Sequence, residues 1–234
     1  MEIIDAHSHI DSLELCRKAS AAGICRVIAS PLTGVLAKSA EDLQRGNHDA
    51  LKLYHANPDF YYPAVTVHPG FPKESIRCLN EFADNGLIWA GEWAAYNCDI
   101  PFDRPEWEPF FRFCSEKNMI VQLHNHESVP VIAARYPEMT VIAAHLIPGV
   151  LPLLAKHNNV FVDISGIHGG LVRGALQEAA QIFGTERLLF GTDYPGYYAE
   201  AFIDACRRLF PAAQRRQIFS CNLKTIMKRH GIQL

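Results

Sequence analysis

A chain of 234 residues that is 49% hydrophobic and 20% charged can bury a sizeable core, which excludes a disordered tail and a low-complexity filament. Its 22 Lys+Arg against 25 Asp+Glu give a net charge of −3, which excludes a binder that blankets phosphates with cations and points away from nucleic acid as a partner. No apolar run reaches the roughly 18 residues of a membrane span, and seven cysteines without a CxxC pair make neither a disulfide framework nor a zinc ribbon.

Short apolar runs rich in β-branched or aromatic residues recur at 2–9, 24–30, 60–67, 87–92, 120–124, 140–145, 160–164 and 188–193, and each reads as a strand. Helical spacing separates them at 12–22, 40–56, 73–85, 106–118 and 129–136, and the tail 211–230 reads as an extra helix after the eighth strand. Alternation of β and α along the chain implies a parallel sheet. Successive strands start roughly 26 residues apart, close to the 30 or so of a minimal βαβ unit. Eight units predict a compact (β/α)8 TIM barrel, a single domain over 1–234. An open doubly wound sheet is the alternative, but no GxGxxG follows the first strand to receive a dinucleotide. The acidic start Met1-Glu2-Ile3-Ile4-Asp5 lacks the basic and apolar regions of a signal peptide, so a soluble, cytoplasmic protein with no membrane partner is expected.

Histidine carries the chemical signal, because imidazole is the commonest neutral metal ligand. Of the eleven histidines, His7, His9, His68, His124 and His145 fall at or just beyond predicted strand ends, where the barrel architecture puts its active rim and where about one is expected by chance. His7 and His9, two apart on a strand, face the same side and can converge on one cation. Asp5 shares their parity, either as a carboxylate supporting a ligand or as a structural hydrogen-bonding group one layer deeper.

Glu92 ends the fourth predicted strand, where an unpaired buried charge costs several kcal/mol unless a cation or donors accept it. His124 ends the fifth and His145 the sixth, each as a ligand or as a cap on a backbone carbonyl. Asp193, in Gly191-Thr192-Asp193-Tyr194-Pro195, stands at the eighth strand's rim as ligand and proton acceptor, or else as a turn residue. Around them His68, Trp93, Tyr96, His126 and Tyr194 are candidate substrate contacts, the aromatic ones as stacking surfaces or merely as loop packing.

The set His7-x-His9, Glu92, His124, His145 and Asp193 resembles the metal centre of the amidohydrolase superfamily, particularly its TatD-type and amidohydrolase-related hydrolases. Ile4-Asp5-Ala6-His7-Ser8-His9 is similar to the superfamily's opening motif, Val67-His68-Pro69-Gly70 and Gly91-Glu92 to TatD-type signatures, and Asn222 to the terminal helix of the amidohydrolase-related proteins. The stretch Trp93-Ala94-Ala95-Tyr96 departs from the TatD-type nuclease pattern.

That resemblance implies one divalent ion at His7, His9 and Asp193, a second at His124 and His145, and Glu92 as the bridge. It implies a metal-dependent hydrolase in which activated water cleaves an ester, lactone, amide or phosphoester bond of a small-molecule substrate, with Asp193 as the catalytic proton acceptor. Imidazole with two carboxylates suits Zn2+, while Mn2+, Fe2+, Co2+ or Ni2+ fit the same ligands. The alternatives are a single-metal decarboxylase of the amidohydrolase-related type and a TatD-type deoxyribonuclease.

Overall fold

The structure is a computed structural model and describes residues 1–166 and 168–234. Eight strands, β1 (Ile4–Ser8), β2 (Arg26–Ala29), β3 (Tyr61–Pro63), β4 (Trp89–Trp93), β5 (Ile120–His124), β6 (Val141–Ala144), β7 (Val160–Asp163) and β8 (Leu188–Leu189), run parallel, each beside its sequence neighbour. Ladders join β1 to β3 and β4 to β8.

Backbone hydrogen bonds close both seams. Val65 N donates to Trp89 O at 2.9 Å and Gly91 N to Val65 O at 2.8 Å, joining the end of β3 to β4. Ala6 N donates to Phe190 O at 2.8 Å and Asp193 N to His7 O at 2.8 Å, joining β1 to the segment after β8. The eight-stranded barrel read from the alternation is therefore the observed architecture. A strand buried on both faces must be apolar along its length, which is why the runs were legible.

Most strands are trimmed at their ends relative to the predicted runs, and β3 and β8 are cut to three and two residues. Pro63 has no amide hydrogen to offer a neighbouring strand; Ala64 N still donates to Ala29 O at 2.9 Å, and on the other side pairing with β4 is limited to the bridge Val65–Ala90. Past Leu189 the chain leaves the β7 ladder for β1, and Asp193 turns into the left-handed region at φ 64°.

Around the barrel lie α1 (Leu13–Ala21), α2 (Leu32–Val35), α3 (Ala40–Ala56), α4 (Pro72–Asp84), α5 (Glu108–Glu116), α6 (Val129–Arg135), α7 (Leu151–Leu154), α8 (Ala175–Phe183) and α9 (Ala199–Leu209). Ser12 and Ser39 cap α1 and α3 by accepting from Leu15 N and Asp42 N. The predicted tail helix is present as α10 (Ala212–Arg216) and α11 (Asn222–Arg229), joined by a π-helical turn, Gln217–Cys221. Asn222 Nδ2 donates to Thr185 O at 2.7 Å and Leu188 O at 2.8 Å, so its work is to lash this helix to the start of β8.

The apolar core sits between barrel and helices, with Trp89, Trp107, Phe110, Phe111 and Phe202 fully buried. All seven cysteines are free thiols, four of them buried. No helix among the described residues is long and apolar enough to cross a membrane.

The one-turn helix α2 depends on close backbone contact with α3. A Cβ on Gly46 would lie 2.5 Å from Gly34 N and 2.8 Å from Gly34 Cα, and backbone atoms cannot step aside. Gly46→Ala is therefore expected to lower the unfolding free energy by about 1–3 kcal/mol despite alanine's better helix propensity. Urea unfolding followed by circular dichroism checks this, and an unchanged or raised midpoint would contradict it.

Candidate metal centre

Glu92 is the buried centre of the barrel mouth, with its residue 3% exposed. Its Oε2 lies 3.6 Å from His7 Nε2 and 3.7 Å from His9 Nε2, while its Oε1 lies 2.8 Å from His124 Nδ1 and 3.5 Å from His145 Nε2. Asp193 Oδ1 completes the circle at 3.0 Å from His9 Nε2 and 3.8 Å from His7 Nε2. The six side chains that the sequence singled out thus meet at one place. Two triads have ligand atoms mutually within 4.8 Å, His7–His9–Asp193 and His7–Glu92–His145. His124 stands outside both and meets Glu92 through Nδ1.

The backbone aims these groups deliberately. His145 directly follows the end of β6 and Asp193 lies in the segment beyond β8, both in the left-handed region, at φ 69° and 64°. Such a conformation strains a residue with a Cβ and persists where surrounding structure enforces it. Before Glu92, Gly91 has φ 131°, and a Cβ there would collide with the Gln122 carbonyl. Ser30, just past β2, accepts from Glu92 N and donates from Oγ to Gly91 O at 2.7 Å.

Each ring that presents Nε2 inward is fixed through its Nδ1. His7 Nδ1–H donates to Asp163 Oδ2 at 2.9 Å, His9 Nδ1–H to Ser30 O at 2.8 Å, and His145 Nδ1–H to Ser165 O at 3.0 Å. These acceptors leave the Nε2 lone pairs facing the cavity, the tautomer a metal requires. His7 Nε2 is buried without any hydrogen-bond partner, an orphan that a cation would satisfy. Four imidazoles and two carboxylates around such an atom have the donor chemistry that suits a divalent ion, and the two triads could each hold one.

Electrostatics agree with that fit. Burial opposes a charge on His7, but the Asp163 and Glu92 carboxylates outweigh it and hold its pKa well above the ordinary imidazole value. His145 is raised too, against its burial and the nearby His7, chiefly by Glu92. Burial pushes the Glu92 carboxyl up, yet His7, His124 and His145 hold it well below the usual range. A site of this kind is charged with protons that an arriving cation must replace.

Several residues that matter here were not singled out from sequence. Asp163 lies under His7, where Gln122 Nε2 also donates to its Oδ2 at 2.9 Å and Trp89 Nε1 donates to Gln122 Oε1 at 3.0 Å. The available signal was a polar residue within each apolar strand: Asp163 closes Val160–Asp163, and Gln122 shares parity with His124. Asp5, left open between two roles, is the structural group. Its Oδ1 accepts from His7 N at 3.0 Å and Thr192 N at 3.1 Å, and its Oδ2 from Thr192 Oγ1 at 2.5 Å, latching the β1–β8 seam while burial raises its carboxyl to about 7.

Of the candidate substrate contacts, Tyr96 lines the cavity at the mouth, with its ring edge-on to His124 at 4.8 Å. The other four are not among the described residues that line this cavity. Trp93 is 1% exposed and packs on Trp107 and Phe111, because the residue after Glu92 must face the opposite side of the strand. His68 stacks on Phe71, and its Nδ1 accepts from Gly70 N at 3.0 Å. The Nδ1 of His126 is engaged by Ser128. Tyr194 pairs with Ser8 through its backbone and packs its side chain against the core.

With this geometry in hand, the comparisons are specific. The protein family described as amidohydrolase matches residues 17–222. No curated protein matches the chain. Among solved structures, 2,6-dihydroxybenzoate decarboxylase from Rhizobium is similar with a TM-score of 0.76, at 16% identity over 98% of this chain and 99% of that one. Dihydroxybenzoic acid decarboxylase from Polaromonas sp. JS666, with bound manganese and 2-nitroresorcinol, has a TM-score of 0.76 at 15% identity over 97% of both chains. A 5-carboxyvanillate decarboxylase from Novosphingobium aromaticivorans, also with manganese, reaches 0.79 at 15% identity over 97% of both. At such identities the likeness shows the shared fold. The TatD-type half of the resemblance gains no support from these matches.

Two outcomes are expected. Metal affinity, measured by competition with a chromophoric chelator, should weaken as pH is lowered from 8 to 6, because His7 and His145 keep their protons to higher pH than free imidazole and must lose them to bind an ion. A pH-independent affinity would contradict it. In the same assay Asp163→Asn, which removes the negative charge beside His7 Nδ1–H and leaves one acceptor oxygen where two serve His7, Gln122, His145 N and Ser165 N, should cost about 10–100-fold in affinity, and an unchanged value would show that the support is idle.

Proposed function

The chain belongs to the amidohydrolase family, and from that premise we propose that it is a metal-dependent hydrolase that cleaves an ester, lactone, amide or phosphoester bond of a small substrate. The supporting observation is the division of the Glu92 carboxylate, one oxygen toward His7 and His9 and the other toward His124 and His145, as suits a ligand shared by two ions. His7, His9 and Asp193 would hold one ion, and His124 and His145 the second.

Divalent ions held there would lower the pKa of a water toward neutrality and polarise the oxygen of the scissile group. The remaining work falls to the protein. Asp193, 21% exposed and facing the cavity, is the group able to take the proton of the attacking water and return it to the leaving atom. Its backbone is fixed by Asp193 N donating to His7 O, so the carboxylate is positioned before substrate arrives. Partial burial, with the Glu92 and Asp193 charges, pushes the Tyr96 phenol up to about 12, so it stays protonated at neutral pH as a donor toward bound substrate.

Single-ion decarboxylation is the second reading, and the comparisons favour it. The three similar structures are decarboxylases, two of them with manganese. One ion at His7, His9 and Asp193 would then leave His124 and His145 to orient the substrate. Zinc suits the imidazole-rich set, and manganese in the similar structures supports Mn2+ for this chain.

Metal-free protein should be inert toward a panel of esters, lactones, amides, phosphoesters and aromatic carboxylic acids, with activity restored by Zn2+ or Mn2+. Two ions per chain with ester or lactone turnover supports hydrolysis, whereas one ion with CO2 release from an aromatic acid supports decarboxylation. Full activity after chelation contradicts both. In either case Asp193→Asn should cut kcat by about 10²–10⁴-fold.

A further inference from the structure

Above the ionic floor, the walls of the mouth are made of a different material. The cavity is about 240 Å³, below the roughly 300–1,000 Å³ of pockets for drug-sized ligands. Leu32, Leu36, Tyr96 and Pro195 form its sides, and neither lysine nor arginine is among the described residues that line it. Leu32 and Leu36 are each 42% exposed and Tyr96 is 53% exposed, so apolar surface is left in water at the one concavity where the ligand groups converge. Covering it is favourable in proportion to the area removed from water.

These walls are pre-built. The helix α2, which carries Leu32, is held by the Gly34–Gly46 backbone contact, and Gly34 also abuts Thr66. Asn97 Nδ2 donates to Val35 O at 2.9 Å, tying the end of α2 to the loop that carries Tyr96. The nearby cation, Lys38, donates to Asn97 Oδ1 at 2.7 Å and does not line the cavity. An anionic tail on the substrate would find no lysine or arginine partner in these walls.

We propose that Leu32, Leu36 and Tyr96 are the specificity-determining residues of the site, and that they select a substrate whose portion beyond the reacting group is small, uncharged and apolar. The inference rests on the metal-dependent reading of the centre and holds for either reaction there, because it concerns the part of the substrate that does not react.

Hydroxamic acids provide the probe, since one chelating head can be kept while the tail varies. Calorimetric titration of the Zn2+- or Mn2+-loaded protein with acetohydroxamic, butyrohydroxamic and benzohydroxamic acids and with succinic monohydroxamic acid measures the tail alone. Kd should fall at least tenfold from the acetyl to the butyryl or benzoyl compound, and the succinyl compound, with its carboxylate tail, should bind at least tenfold more weakly than the butyryl one. In the Leu32→Ala, Leu36→Ala double variant the apolar gain should shrink to less than threefold with the acetohydroxamic acid Kd unchanged. Equal or tighter binding of the carboxylate tail, or a full apolar gain in the double variant, overturns the proposal. If the tail preference holds while esters and lactones with the same acyl groups are not turned over, the hydrolysis reading fails and this proposal stands. If those esters are hydrolysed with no tail preference, the reverse follows.

Discussion

A carboxylate removed from water and ringed by imidazoles is the constraint on which the rest of the structure depends. Ionised, Glu92 would cost several kcal/mol to bury alone. Here its oxygens face four histidines, three of which are themselves pinned through Nδ1 by Asp163, Ser30 O and Ser165 O. The arrangement cannot relax by rotating a ring, because rotation would break a buried hydrogen bond to each fixed acceptor. What remains is an inward set of lone pairs and an orphaned His7 Nε2. Such a set is one that a divalent cation could satisfy.

The barrel supplies what this constraint demands. Ligands far apart in the chain can be held to within a few ångströms only by a rigid frame, and the parallel strands give each of them a common end. Ser30 shows how economically the frame is used: one residue beyond β2 fixes the peptide before Glu92 through its hydroxyl and orients His9 through its carbonyl. At His145 and Asp193 the frame goes further and holds left-handed backbone that neither residue would choose in isolation.

Much of this was legible in the sequence because the governing periodicities are short. Alternation of apolar strands with helical spacing gave the barrel, and the two-residue repeat placed His7 and His9 on one side. The same repeat, applied to Trp93, turns it away from the mouth as soon as Glu92 is turned inward. Longer-range facts were not legible. Nothing local to Asp163 says that it will lie under His7, 156 residues away. Nor does the run after β2 mark Leu32 as a wall of the cavity, since a one-turn helix has too few residues for a period and its place is set by a glycine contact with α3. The histidines His68 and His126 follow strands as ligands do, but the loops beyond a strand end turn by their own hydrogen bonds, to Gly70 N in one case and Ser128 in the other.

The most direct test of the metal centre is anomalous diffraction from crystals grown with Mn2+ or Zn2+. The account predicts a peak among His7, His9 and Asp193, with a second among Glu92, His124 and His145 if the carboxylate is shared by two ions. A fully loaded crystal with no peak at the barrel mouth, or with its ions bound only elsewhere on the surface, would contradict it.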